Sequence, residues 1–148
     1  MRPTHPHTRG PSRATIAAMS DFTILNLRDV KDSAPDFGFA ENQEAHFAMD
    51  DLGAETAGLS FLAVKPGRRQ AFGHRHDKAE EVYVVVSGSG RVKLDDEIRD
   101  VGVLDAIRVA PGVTRAFEGG PEGIEFIASG PHHKGDGELD PSFWPEGS

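Results

Sequence analysis

Gly73-His74-Arg75-His76-Asp77-Lys78-Ala79-Glu80-Glu81-Val82-Tyr83-Val84-Val85-Val86-Ser87-Gly88 is the stretch that decides how the rest of the chain reads. On an extended backbone, residues two apart share a face, so His74 and His76 point one way and Arg75 the other. Asp77 to Glu80 then turn the chain, and Glu81 enters on a strand that can lie beside the first. Two imidazoles and one carboxylate converging from adjacent strands suit a divalent first-row metal, especially non-haem Fe(II), with positions open to water or substrate. The same residues admit a plainer reading, with hydrogen-bonded structural histidines and Glu81 salt-bridged to an arginine. Along the second strand, Glu81, Tyr83 and Val85 share one face and Val82, Val84 and Val86 the other. Both faces are largely apolar, so both are expected to be covered, the second by another sheet of the chain or by a partner subunit. This predicts a homodimer.

Outward from this stretch the pattern stays β. Phe22 to Leu27 reads as a short apolar strand. Further strands are predicted near residues 45–50, 57–65, 70–76, 80–87, 90–94, 97–101, 105–110, 114–118 and 123–128. Turn residues at Pro66-Gly67, Gly88-Ser89-Gly90, Asp95-Asp96, Pro111-Gly112, Gly119-Gly120-Pro121 and Gly130-Pro131 separate them. Many short strands at this spacing imply an antiparallel sandwich or barrel, and no segment carries a convincing amphipathic helix. The ends differ in kind. Residues 1–20 hold Arg2, Arg9 and Arg13 and no acid, mixed with Pro and Gly, and read as a disordered basic extension, with Met19 a plausible true start. Residues 21–131 form the β domain. Residues 132–148 return to Gly, Pro and acids and read as a loose polar tail, with Phe143 and Trp144 sealing it to the barrel.

Composition narrows the chemistry. The 148 residues include no Cys, so thiol catalysis, Cys-ligated zinc, iron–sulfur clusters and disulfides are excluded. The absence of disulfides fits a reducing compartment such as the cytoplasm. A formal charge of -8 argues against general affinity for nucleic acid or acidic membranes. No apolar run approaches the roughly 20 residues that a membrane helix needs.

His74-x-His76-x4-Glu81-x6-Gly88 resembles the first conserved motif of the cupin superfamily, the metal-binding half of a double-stranded β-helix. The flanking Phe72-Gly73 and Glu80 to Gly90 are similar to small single-domain, conserved-barrel cupins. The likeness extends over residues 58–130. It implies an all-β jelly-roll barrel with a metal on His74, His76 and Glu81. The glycine placed before the histidines stands one residue upstream of its usual position, as Gly67. The second motif, G-x5-P-x-G-x2-H-x3-N, is only partly present. Aligned on Gly112, its leading glycine falls on Leu104, its proline on Ala110, its last histidine on Arg115 and its asparagine on Gly119.

Arg115 thus stands where a fourth ligand is expected, and a guanidinium has no lone pair to offer a metal. Two readings stay open. In one, Arg115 clamps a carboxylate or phosphate of the substrate beside a three-ligand metal. Alternatively it pairs with Glu81 and takes the metal's place. Gln70, Phe72 and Tyr83, two or four residues from the candidate ligands, are expected to wall the pocket. The resulting expectation is a pocket for a small anionic molecule. It belongs either to an enzyme (dioxygenase, isomerase or lyase) using one Fe, Mn, Ni or Zn ion, or to a metal-free binding, sensing or structural domain. Other features carry less chemistry. Asp95-Asp96-Glu97 fits no calcium loop and reads as a hairpin tip, Gly88-Ser89-Gly90 precedes no helix, His46 reads as packed, and His5, His7, His132 and His133 as solvated.

Overall fold

The computed structural model describes residues 21–145. The extension expected over 1–20 lies outside the described residues, as do the last three of the tail. Eight strands make one curled sheet: β1 (Gln43–Phe47), β2 (Ala57–Val64), β3 (Gly73–His76), β4 (Glu81–Leu94), β5 (Glu97–Gly102), β6 (Ala106–Val109), β7 (Arg115–Pro131) and β8 (Gly137–Asp140). The order β1-β2-β7-β3-β8 forms the main path, with β4 bonded to β7 and carrying β5 and β6. Every pairing is antiparallel.

The two long strands roll the sheet. Along one edge β7 pairs with β4 from Arg115↔Leu94 to Ser129↔Val82, and along the other with β2 and β3. Their inward faces enclose Val64, Tyr83, Val85, Val92, Val109, Phe117, Ile124 and Phe126, all buried. Phe117 and Phe126 stack with centroids 4.0 Å apart, and Tyr83 packs against both. Each such side chain contributes roughly 1.5–3 kcal/mol of hydrophobic stabilisation.

The glycine clusters expected as turns do something else. Both β4 and β7 run straight through Gly88-Ser89-Gly90 and Gly119-Gly120-Pro121, and the register shifts between Val85 and Ser87 and again between Gly88 and Gly90. These are bulges, which bend a strand without ending it. Gly88 takes φ +70°, and a Cβ there would overlap the carbonyl of Gly123, so glycine permits both the conformation and the close approach.

Three further differences follow from missing partners or local chemistry. No strand forms over Phe22 to Leu27; Phe22 and Ile24 are exposed, and the segment ends in a 3-10 turn at Leu27–Asp29. The expected strand 45–50 stops at Phe47 and gives way to a one-turn helix, α1 (Met49–Leu52), whose Asp50 and Asp51 suit a helix N-terminus. Part of the stretch read as a loose tail forms β8, in register with β3 from Gly73↔Asp140 to His76↔Gly137. All four β8 residues are exposed; backbone pairing and the Arg75–Glu138 ion pair hold them, and no apolar alternation announces the strand.

Within the single chain, Tyr83 and Val85 are buried, whereas Val82 and Val86 on the opposite face remain 37% and 40% exposed. His46 is packed as expected, with Nδ1 2.7 Å from the Val30 carbonyl. Among the described residues, no helix is long and apolar enough to cross a membrane.

Candidate metal centre

β3 and the start of β4 bring the candidate ligands together. His74 and His76 project to one side, while Arg75 turns away to pair with Glu138 and Asp77. Glu81 Oε1 lies 3.7 Å from Nε2 of both histidines. One donor atom from each of the three residues falls within 4.8 Å of the others. Their side chains keep 20–25% of their accessibility, so solvent reaches the cluster. Two imidazoles and a carboxylate are a donor set suited to a divalent transition metal, and the cluster could hold such an ion.

Arg115 sits behind this cluster, directly opposite His74 in the β3·β7 register, with no exposed surface. Its three nitrogens are all committed. Nε donates to the Tyr83 hydroxyl at 3.0 Å, Nη1 to the Val113 carbonyl at 2.9 Å, and Nη2 to Glu81 Oε1 at 2.9 Å. The Tyr83 hydroxyl in turn donates to Glu81 Oε1. Arg115 and Tyr83, expected on the wall facing a substrate, therefore meet Glu81 from inside the barrel.

The electrostatics follow from this arrangement. Burial works to raise the Glu81 pKa, but the nearby His74 and hydrogen bonds from Tyr83 and Arg115 outweigh it and pull it down to about 2. Burial opposes the charge on Arg115, and Tyr83 and Glu81 more than restore it. Burial pushes the Tyr83 pKa up, with Glu81 adding to the effect, so the phenol stays protonated. His76 is lowered, chiefly by burial, against the pull of Glu81 and with the help of Arg115 and His74; it is neutral at pH 7, as a ligand must be. Glu81 and Arg115 cancel in charge. A divalent ion on neutral imidazoles would thus bring a surplus of two positive charges to the open side.

Gln70 and Phe72 are not beside the histidines. The alternation linking them to His74 requires a strand over 70–76, but β3 begins at Gly73 and residues 71–72 form a bend. Gln70 is buried with its Oε1 accepting from the Phe117 amide at 2.9 Å, and Phe72 packs on Phe39. Both line a separate groove on the outside of the barrel.

Asp136 was missed in the sequence. Its Oδ1 accepts the amides of Asp77 and Lys78 at 3.0 and 2.8 Å, and its Oδ2 accepts that of Ala79 at 3.0 Å. It thereby fixes the turn that separates His76 from Glu81, and Oδ2 also lies 3.7 Å from His76 Nδ1. Burial tends to raise its pKa, and the three amides overcome this and hold it low. Its only sequence signal is Gly135-Asp136-Gly137, which marks a turn but not the turn 57 to 59 residues away that it supports.

No protein family profile and no curated protein matches the chain. Solved structures do. A cupin protein from Bacteroides fragilis superposes with a TM-score of 0.63 at 20% identity, over 79% of this chain and 89% of that one. The polyketide cyclase RemF from Streptomyces resistomycificus gives 0.64 at 22% identity, over 84% and 87%. Oxalate decarboxylase from Bacillus subtilis gives 0.63 at 22%, over 78% of this chain and 32% of that one, so the chain spans about a third of that enzyme. The chain has the cupin fold. Its strands form the jelly roll that the first motif implied. Within this fold, Leu104 holds φ +69°, the left-handed conformation that explains why the second motif carries glycine there.

Proposed function

We propose that this cupin binds a divalent transition metal on His74, His76 and Glu81 and uses it to hold a small anionic molecule, most simply a carboxylate. The convergence of the three donor atoms within 4.8 Å on a solvent-reachable side of the barrel carries the reading. A metal there would act as a Lewis acid, polarising an oxygen bound to it. The chain's own residues do the positioning. Arg115 and Tyr83 fix Glu81 from behind, Asp136 sets the His76 to Glu81 turn, and His76 stays neutral. Arg115 acts on the anion only at a distance, by cancelling the charge of Glu81. Dioxygenase, isomerase or lyase chemistry on such an anion is compatible with this donor set. The neighbours described as an oxalate decarboxylase and a polyketide cyclase support small-molecule chemistry on this fold.

A second reading is favoured by the 2.9 Å Arg115–Glu81 pair, which satisfies the buried charge of Glu81 without a metal. The pocket would then be a metal-free binding or structural site. Oxalate serves as a probe to separate the two. Under the metal reading, oxalate raises the unfolding midpoint in the presence of Mn(II) and not in the presence of EDTA. An equal rise in both conditions supports the metal-free binding site.

We also take the protein to act as a cytoplasmic homodimer, with a second copy covering Val82 and Val86. Their partial exposure supports the dimer, and the lack of cysteine fits the cytoplasm.

A further inference from the structure

β3 carries two of the three candidate metal ligands, yet the rest of the barrel holds it by little. Its register with β7 is the single pair His74↔Arg115, to which the Gly112 amide adds a bond to the His76 carbonyl at 2.7 Å. The other edge is different. There β8 pairs with every residue of β3, from Gly73↔Asp140 to His76↔Gly137. Arg75, between the two histidines, is paired with Glu138 of β8.

The C-terminal segment also grips both ends of β3. Just beyond His76, the buried Asp136 carboxylate accepts the amides of Asp77, Lys78 and Ala79. At the start of the strand, the buried Phe143 ring lies against Gly73, so closely that a Cβ there would overlap it. Glycine immediately before His74 is what lets the ring reach the strand. Lys93 Nζ, 3.6 Å from the ring centroid, adds a cation–π contact that ties the segment to β4. Of residues 132–145, only Asp136 and Phe143 are buried. A segment with so few buried contacts, forming an edge of the sheet, opens at a lower free energy than the core.

We propose that Phe143 is a positioning residue of the metal centre, and that residues 136–143 form a strap whose docking decides whether the centre can hold an ion. With Asp136 and Phe143 seated, β3 presents both histidines towards Glu81. With the strap released, β3 loses most of its partners and the histidines lose their fixed place. Coupling of this kind is reciprocal: an ion that needs the docked strap also holds it closed. The strap builds on the metal proposed above for His74, His76 and Glu81. It makes the C-terminal segment, rather than the barrel alone, set how tightly that ion is held.

Mn(II) uptake and amide hydrogen exchange on the full chain test it together. Uptake by the wild type comes first, and if there is none the metal reading and the strap fall together. Given uptake, Mn(II) at about 100 times its Kd is expected to slow exchange of the protected β8 amides about 100-fold relative to EDTA, because opening then requires loss of the ion. β5, another edge strand but remote from the ligands, is expected not to change. Phe143→Ala is expected to raise the Kd for Mn(II) at least about tenfold, since only the docked fraction binds. Val101→Ala removes a buried side chain from β5 and is expected to leave that Kd unchanged, which separates the strap from general loss of stability. Four results overturn the strap while leaving the metal reading standing: β8 exchange indifferent to Mn(II), equal slowing in β5, Phe143→Ala binding as tightly as the wild type, or Val101→Ala weakening binding as much. If Phe143→Ala does not fold, the exchange comparison on the wild type decides.

Discussion

Arg115 Nη2 and Glu81 Oε1 meet at 2.9 Å inside the barrel, with the Tyr83 hydroxyl bonded to both side chains. The pair puts a permanent cation behind a carboxylate that also faces two histidines. Removing one member leaves the other buried and uncompensated, which costs about 3–5 kcal/mol. Arg115→Met is therefore expected to lose about that much stability in urea unfolding with EDTA present. Added Mn(II) should recover part of the loss, because a metal can compensate Glu81 from the open side. A variant as stable as the wild type would show that the pair does not balance the site.

Asp136 accepts three successive amides between His76 and Glu81. Asp136→Asn keeps the shape but removes the charge and one acceptor. It is expected to reduce metal affinity about 10–100-fold, the usual effect of disturbing groups that orient ligands. Isothermal calorimetry measures this, and an unchanged affinity would reduce Asp136 to a buried support of the turn with no effect on the ligands.

The candidate cluster was legible because His74, His76 and Glu81 lie within eight residues, and strand parity with one turn suffices to bring them together. Arg115 was legible only as a departure from a motif. Whether it faces a substrate or the core depends on the β3·β7 register, which local pattern does not encode. Gln70 and Phe72 were misplaced because parity was carried across a bend that their sequence does not announce. Asp136 and β8 were missed for a related reason: Asp136 is a buried polar residue that serves backbone amides far along the chain, β8 is an exposed strand held chiefly by backbone pairing, and neither leaves an apolar periodicity. The curled all-β architecture was evident from the short Val, Ile and Phe runs. Two glycine clusters were read as turns because glycine serves bulges and turns alike.

Glu81 links stability to pH. Its folded-state pKa of about 2 lies below the ordinary carboxylate value near 4.5, so its contribution is present in full above that value. The contribution is lost as pH falls from about 4.5 towards 2. Without metal, the stability difference between wild type and Glu81→Gln is expected to shift against the wild type as pH falls from about 4.5 towards 2. Urea midpoints across the range measure it. A difference independent of pH would mean that Glu81 is not held ionised by its neighbours.

Val82 and Val86, 37% and 40% exposed on β4, lie on the face assigned to a partner copy. Sedimentation of the wild type is expected to give a dimer, and Val86→Lys should shift it to monomer while leaving the single-chain core of Tyr83 and Val85 intact. A monomeric wild type would remove the dimer and leave this face solvated.

The central claim is that His74, His76 and Glu81 hold one metal ion although an arginine replaces the fourth ligand. Metal-stripped protein titrated with Mn(II), followed by the electron paramagnetic resonance signal of free Mn(II), tests it most directly. The account predicts uptake of about one ion per chain at micromolar levels, abolished in His74→Ala and severely weakened in Glu81→Gln. No uptake by the wild type, or equal uptake by all three proteins, would contradict it.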